Sequence, residues 1–463
     1  MRTLALLAVL LSGDQWRPEE RVLISDFSYV DAVAASPWLL FAATRHGLLI
    51  YDRIARTWRP PVTVLDGYPA GRVRTALADP GGNVVWLGLG AGGYVRYDLD
   101  ARIWSPGTPP PEAVAGAVTV EGALARAPAA DALRGLILTD PRLRTYQFTS
   151  AAATPDRAEL FFGTSGMGVV RVDPQTAEWE ALSFGLVAPG VGAIASTGDG
   201  VWAAAKARPG ERRGLTFVAA DLSAARPAEG GGAALGFTFL EARRLLIATG
   251  ALWLATDQGV LRIDPGTMRS RPFDLPQVTS LAPAPDGVWV GTARGLWVIT
   301  RDGSVVRVST DFPVLSLVAA RDTLWVGTNA GIVMMPPGKA DAVGVAALAQ
   351  PIFALARARD TIAAATDRSL VWRDAAAGVW KELPLSPALG RPTALAADPD
   401  GGMWVGGTQG LARAVLGRAQ VRLLTVPLDL PAAVRDVAVD DAWLWVATDS
   451  GLVRFDRRAA ASR

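Results

Sequence analysis

One short phrase, returning every forty residues or so, restricts what this chain can fold into more than any other feature. Its clearest copies are Leu252-Trp253-Leu254-Ala255-Thr256-Asp257-Gln258-Gly259, Val288-Trp289-Val290-Gly291-Thr292-Ala293-Arg294-Gly295, Leu324-Trp325-Val326-Gly327-Thr328-Asn329-Ala330-Gly331 and Leu444-Trp445-Val446-Ala447-Thr448-Asp449-Ser450-Gly451. Weaker copies are marked by Trp38, Trp86, Phe161, Trp202, Ala363 and Trp404, which makes ten in 463 residues. A unit that recurs at this period is one supersecondary element that buries its apolar faces against its neighbours. A single array therefore replaces the roughly three domains that length alone would suggest.

The phrase has a local grammar of four strands. An apolar strand such as Val278 to Leu281 comes first, followed by a turn such as Asp286-Gly287 or Asp400-Gly401. The Trp strand then reads as a continuous apolar run, the pattern of a sheet covered on both faces. A polar two-residue turn ending in glycine leads to a third strand, Val260 to Ile263 or Leu452 to Phe455, because glycine supplies the positive φ that a tight hairpin needs. Third strands end at Asp52, Asp98, Asp173 and Asp374, and six residues after each stands Trp58, Trp104, Trp179 or Trp380, read as opening an outer strand. Eight of the 16 tryptophans are counted at the repeat marker, which makes them core wedged between sheets.

Ten such units predict an all-β propeller of four-stranded blades over residues 17–463. Closure is expected as one ring of ten: the last repeat ends at Asp456, and the unassigned strand in Arg17 to Phe27 is placed to complete its blade. Two smaller rings, or a ring of seven with a satellite, are the alternatives, since ordinary propellers hold about 4 to 8 blades. The wide gap holds a Pro-Ala-Glu-rich insertion at about 109–134, expected to be loop with a short helix around Asp131 to Leu133. Residues 1–16 carry a basic, apolar and small-residue succession expected of an export leader.

The motif Leu/Val-Trp-Val-Gly-Thr-x-x-Gly-Leu-x-Arg-x-Asp, as in Leu252 to Asp264 and Leu444 to Asp456, resembles the two-component regulator propeller repeat. The resemblance runs from Trp38 to Asp456 and implies a periplasmic or secreted, sensor-like bacterial propeller. That family includes the periplasmic regions of hybrid histidine kinases. Within these 463 residues nothing resembles a kinase, so the chain is expected not to pass a phosphoryl group itself; a separate sensor kinase or an envelope protein is the partner the resemblance implies.

Composition narrows the chemistry. Without cysteine there is no disulfide, thiolate nucleophile or Cys-ligated metal, and His46 is the single histidine, so neither a metal centre nor a cofactor is expected. Of 46 basic residues only Lys206, Lys339 and Lys381 are lysines, and the arginines are scattered singly, unlike the basic stripe that binds nucleic acid. No stretch reaches the ~20 apolar residues of a membrane helix. The run Gly88-Leu89-Gly90-Ala91-Gly92-Gly93 matches a dinucleotide fingerprint in letters only, because a strand, Tyr94 to Asp98, follows it where a helix is required.

The expected functional surface is the set of turn tips left variable by Thr-x-x-Gly, around the mouth of a central channel. Its residues are Arg45, His46, Asp257, Gln258, Arg294, Asn329, Asp367, Arg368, Gln409 and Asp449. Three aspartates and three arginines among them leave no net sign, which suits a glycan or a protein loop better than a polyanion. His46 is read as a turn residue, with a general base as the sharper alternative. Glu180, Glu241 and Glu382 depart from the repeat and are the candidates for a carbohydrate-active enzyme, which needs a convergent carboxylate pair. The leading expectation is an exported binding or scaffold propeller without catalysis.

Overall fold

A computed structural model describes residues 16–463 except 70, 113, 115–117, 127–137, 141, 157, 231–237, 310–311, 336–342, 345–347, 375–377, 417–420 and 463. The chain is all-β, and among the described residues ten antiparallel sheets of at least four strands follow one another along it. We number them in chain order by their lead strands, the first strand of each: Val30–Ala35, Val73–Ala78, Phe148–Ala153, Val191–Ser196, Ala242–Ala248, Val278–Ala284, Val314–Ala320, Ala354–Ala358, Pro392–Ala397 and Val434–Val439. The outer strands Thr57–Trp58, Ile103–Pro106, Trp179–Leu182 and Trp380–Pro384 carry the four tryptophans expected there. Asp52, Asp98, Asp173 and Asp264 each accept backbone amides two or three residues on, which turns the chain between the third and fourth strands.

The tenth sheet is completed from the other end of the chain. Strand Arg21–Ile24 pairs antiparallel with Gly451–Asp456, Arg21 opposite Phe455 and Ile24 opposite Leu452. Val22, Leu23 and Ile24 are buried, and the Arg21 guanidinium donates to the Leu428 and Leu65 carbonyls at 3.0 and 2.8 Å. After Asp456, residues Arg457–Ser462 form a helix.

The packing order of the sheets departs from sequential stacking. Lead strands of the fourth to tenth sheets each pack on the next, and the tenth packs on the fourth. The first sheet lies between the second and the third, so these three form a separate stack. A single ring of ten would set the third sheet against the fourth and the tenth against the first, and those lead strands are not the ones that pack together here. The stack is thus an insertion between Arg21–Ile24 and the fourth sheet. Two segments tie it to the seven-sheet circuit, residues 25–29 and 183–190, and they run together: Leu186 N donates to Ser25 O at 2.8 Å and the Phe27 and Phe184 rings stack at 6.5 Å.

The repeat phrase has a packing reason. The residue two places after the Trp marker faces, across the ladder, the third residue of its own lead strand. Thr75 faces Gly88, Ser150 faces Gly163, Ser280 faces Gly291 and Ser316 faces Gly327. A Cβ on these glycines would lie 2.3 to 2.5 Å from the hydroxyl opposite. Where the lead strand carries Ala32, Ala193, Arg244 or Asp436, the facing residue is alanine: Ala43, Ala204, Ala255 and Ala447. Gly406, opposite Ala394, is kept free by the Val434 methyl of the next sheet, 2.6 Å from where its Cβ would be.

Two sequence expectations are corrected. Trp38 precedes its strand and is 56 % exposed; the buried marker of that copy is Phe41, three residues before Thr44 as the others precede their threonines, so seven tryptophans hold the position. Of those, Trp86, Trp253, Trp325, Trp404 and Trp445 are buried, while Trp202 and Trp289 are half-buried between sheets. In the insertion, the helix observed is Val120–Arg126, packed on the third sheet, and Asp131 to Leu133 lie outside the described residues, as do residues 1–15 of the expected leader.

Two outcomes follow. A chain beginning at Ser25 loses the edge strand and three buried aliphatics, each contributing about 1.5–3 kcal/mol. It is expected to melt at least several degrees lower or to aggregate, and a truncated protein that melts like the full chain would contradict the pairing. Gly88→Ala is expected to cost about 1–3 kcal/mol by overpacking, and Thr75→Ala in the same chain to recover most of it. Equal losses in the single and double variants would dissociate the two positions.

Candidate functional site

Most turn tips are built by a threonine, although Gly407 stands in its place before Thr408-Gln409 and Ser369 replaces the closing glycine after Asp367-Arg368. Thr256 Oγ1 donates to Gly259 O at 3.0 Å and accepts from Gln258 N at 3.1 Å, and Thr292, Thr328 and Thr448 repeat the arrangement. At Gly259, with φ 141°, a Cβ would lie 2.4 Å from the Phe273 carbonyl, so the outer strand's backbone reserves the site for glycine. The two residues in between are thereby held off the ladder, whatever their chemistry. Gln258, Arg294, Asn329, Asp367, Arg368 and Gln409 project into solvent at the same end of the seven-sheet circuit.

The remaining tips are engaged. Asp257 accepts the Leu240 and Glu241 amides at 3.1 and 3.0 Å and shapes the connection into its own sheet. Asp449 binds Arg435 at 2.5 and 2.8 Å and Lys206 at 3.0 Å, an ion pair across the junction of the tenth and fourth sheets. Burial acts to raise its pKa, but hydrogen bonds from Arg435 and Lys206 outweigh it and hold the carboxyl below its ordinary value.

Arg45 and His46 do not join this set. They belong to the first sheet, in the stack, where Arg45 lies 3.8 Å above the Tyr29 ring and His46 Nδ1 is 2.7 Å from Asp26 O. A carbonyl only accepts, so Nδ1 carries a proton and donates it there. The two line a cavity of about 240 Å³ with Ser25, Tyr68 and Ser450, which brings the first sheet's tip to the tenth's.

A second row of residues escaped the sequence reading. In nine sheets the register slips by one at the second residue of the lead strand, a β-bulge. A bulge re-aims its side chain. Thr279 and Thr393 hydroxyls donate to the carbonyls of Val314 and Val434 on the following sheet, both at 2.8 Å, and Arg243 Nη1 donates to Val278 O at 2.9 Å. Arg243, Thr279, Leu315, Thr393 and Arg435 share one cavity of about 140 Å³, where six sheets of the circuit meet. The signal was present, since the residue after the first apolar residue of each lead strand varies from hydroxyl to aliphatic to arginine. It was hidden by reading Val278 to Leu281 simply as an apolar strand.

Beside Arg435, Asp436 is buried and accepts from Ile194 N at 3.1 Å and from Arg244 Nη1 at 2.7 Å. Burial raises its pKa against the Arg244 charge. The three unpatterned glutamates stay apart on different sheets. Glu180 pairs with Arg171, Glu241 with Arg243, and Glu382 hydrogen-bonds Ser369. Among the described residues no group of three acidic or histidine side chains is placed to hold a metal, and no helix is long and apolar enough to cross a membrane.

Asp449 gives a test with a definite sign. A carboxyl whose folded pKa is depressed stabilises the fold above the ordinary carboxylate range and ceases to do so as pH falls through its folded value. Asp449→Asn is expected to melt a few degrees below wild type at pH 7 and to converge with it as the pH falls well below 4. A pH-independent difference would mean that the ion pair does not hold the junction.

No protein-family model matches the chain, and no curated protein matches it in sequence. Solved structures of similar fold include two extracellular domains of putative hybrid two component systems from B. thetaiotaomicron. One is 11 % identical over 92 % of this chain and 70 % of its own, with a TM-score of 0.48; the other is 15 % identical over 94 % and 69 %, with a TM-score of 0.49. A streptogramin B lyase is 15 % identical over 58 % of this chain and 94 % of its own, with a TM-score of 0.49.

Proposed function

We propose that this chain is an exported, sensor-like binding propeller without chemistry of its own, periplasmic or secreted, that engages a glycan or protein partner through its turn tips. In this reading the seven-sheet circuit closes as one seven-bladed ring, latched by Arg21–Ile24, and the first three sheets ride on it as a satellite stack. The ring falls within the usual range of about 4 to 8 blades, which a ring of ten does not.

The observation that carries the proposal is the contrast at each tip. In the fifth, sixth and seventh sheets a threonine hydroxyl and a glycine of positive φ fix the backbone and present Asp-Gln, Ala-Arg and Asn-Ala, while the eighth and ninth present Asp-Arg and Thr-Gln, so that no pair repeats. Loops of variable chemistry on a rigid scaffold are where recognition concentrates. Arg294, Asp367, Arg368 and Gln409 offer charge-assisted and neutral hydrogen bonds of both polarities, which suits a neutral or mixed-polar partner. A separate sensor kinase or an envelope protein is the protein partner this reading favours.

The test uses Arg294→Ala, Asp367→Ala and Arg368→Ala in one chain. Immobilised protein, challenged with soluble glycans and with extract of the cell envelope, is expected to lose at least about tenfold in affinity for whatever the wild type retains, with the melting temperature nearly unchanged. Full retention by the triple variant would remove the turn tips from the binding surface.

A further inference from the structure

Where the stack meets the circuit lies a cleft of about 850 Å³. Its walls come from both parts. The third sheet contributes its turn tip Gly166 to Gly168 and the strand end leading into residues 183–187, the hairpin Leu138–Thr139 with Thr145–Tyr146 leans in from the chain before it, and the fourth sheet supplies Pro227 to Glu229 and the tip residue Arg212. Phe184, buried at 5 %, makes part of the floor, and Met167 of the third sheet and Met268 of the fifth line the cleft as half-buried, deformable walls. The volume lies within the range of about 300–1,000 Å³ typical of small-molecule sites.

The polar groups divide unevenly between spent and available. Asp140 accepts from the amides of Arg142 and Arg144, from Arg144 Nε at 2.8 Å and from the Tyr146 hydroxyl at 2.9 Å. Both Glu229 oxygens are taken by Arg144, at 2.9 and 2.7 Å. The two carboxylates are therefore occupied in locking the hairpin to the fourth sheet. Among the described residues Arg212 donates through Nη2 to Asp26 Oδ1 at 2.8 Å, and Arg142 through Nη2 to the Glu229 carbonyl at 2.5 Å. Arg142 Nη1 also lies 3.6 Å from Glu229 Oε1. A guanidinium carries five N–H donors, so among the described residues both retain N–H groups beyond these contacts.

We propose that this cleft is a binding site for a small amphiphilic organic anion, its apolar body between Met167, Met268 and Phe184 and its anionic group on Arg142 and Arg212. The inference is independent of the partner surface at the turn tips, because the cleft uses none of the six exposed tip residues of the circuit. Since its walls belong to both stack and circuit, an occupant there favours the arrangement in which the two are closed on each other.

Anilinonaphthalene sulfonate, an amphiphilic anion that fluoresces on leaving water, is the probe, with N-phenyl-naphthylamine as its neutral counterpart. Saturable binding of the anion at one site per chain is expected, weakened at least about tenfold by Met167→Glu and by Ser183→Trp, which fills the cleft without burying a charge. Arg212→Gln is expected to weaken the anion about fivefold or more and to change the neutral probe less than about twofold. Wild-type protein that shows no saturable binding, or binding that persists in Ser183→Trp with the fold intact by circular dichroism, overturns the site. Equal losses of both probes in Arg212→Gln overturn the anionic class of ligand.

Discussion

Four ladder positions between Arg21–Ile24 and Gly451–Asp456 decide how everything else is arranged. A sheet built from both ends of a chain forces whatever lies between into a circuit, because the partner strands must return to one place. Here the return is made by seven sheets, and the first three must be accommodated outside it. The seam where the tenth sheet meets the fourth is correspondingly polar. Asp436 reaches the Ile194 amide, Asp449 reaches Lys206, Ser196 reaches Asp440 and Arg454 reaches the Ala220 carbonyl. Directional bonds at a seam select one partner sheet among ten that are otherwise alike.

Within each sheet the deciding fact is the fit of a lead-strand side chain over the residue opposite. Hydroxyl over glycine and methyl or longer over alanine are alternative solutions to the same narrow gap, and the chain uses both. The fit is internal to a sheet, so it holds register without reference to which sheet comes next. Identity between neighbours is carried instead by the bulge residue one position earlier, which is turned away from the ladder and bonds across to the following sheet.

How far this was legible in the sequence follows from what kind of interaction encodes each level. Sheets, turn glycines, the outer-strand tryptophans and the completing strand at Arg21–Ile24 are written as local patterns, and each stands where the pattern put it. Trp38 misled because the eye follows tryptophan, while the structure follows the distance to threonine, which selects Phe41. The order of packing was not legible at all: the third sheet turning back onto the first depends on contacts such as Thr149 Oγ1 to Val30 O, between residues far apart in sequence and with no local signature. For the same reason the tips could be named but not grouped, and Arg45 and His46 went with the others until the stack separated them.

The paired tethers at residues 25–29 and 183–190 have a mechanical consequence. Two segments leaving one seam, bonded to each other through Leu186 and Ser25 and stacked through Phe27 and Phe184, form a strap along the seam, and the Arg144 to Glu229 bonds brace it from one side. A strap braced in this way resists twisting. Load applied to the far end of the stack is delivered as a lever arm to the strand Arg21–Ile24, the latch that completes the circuit.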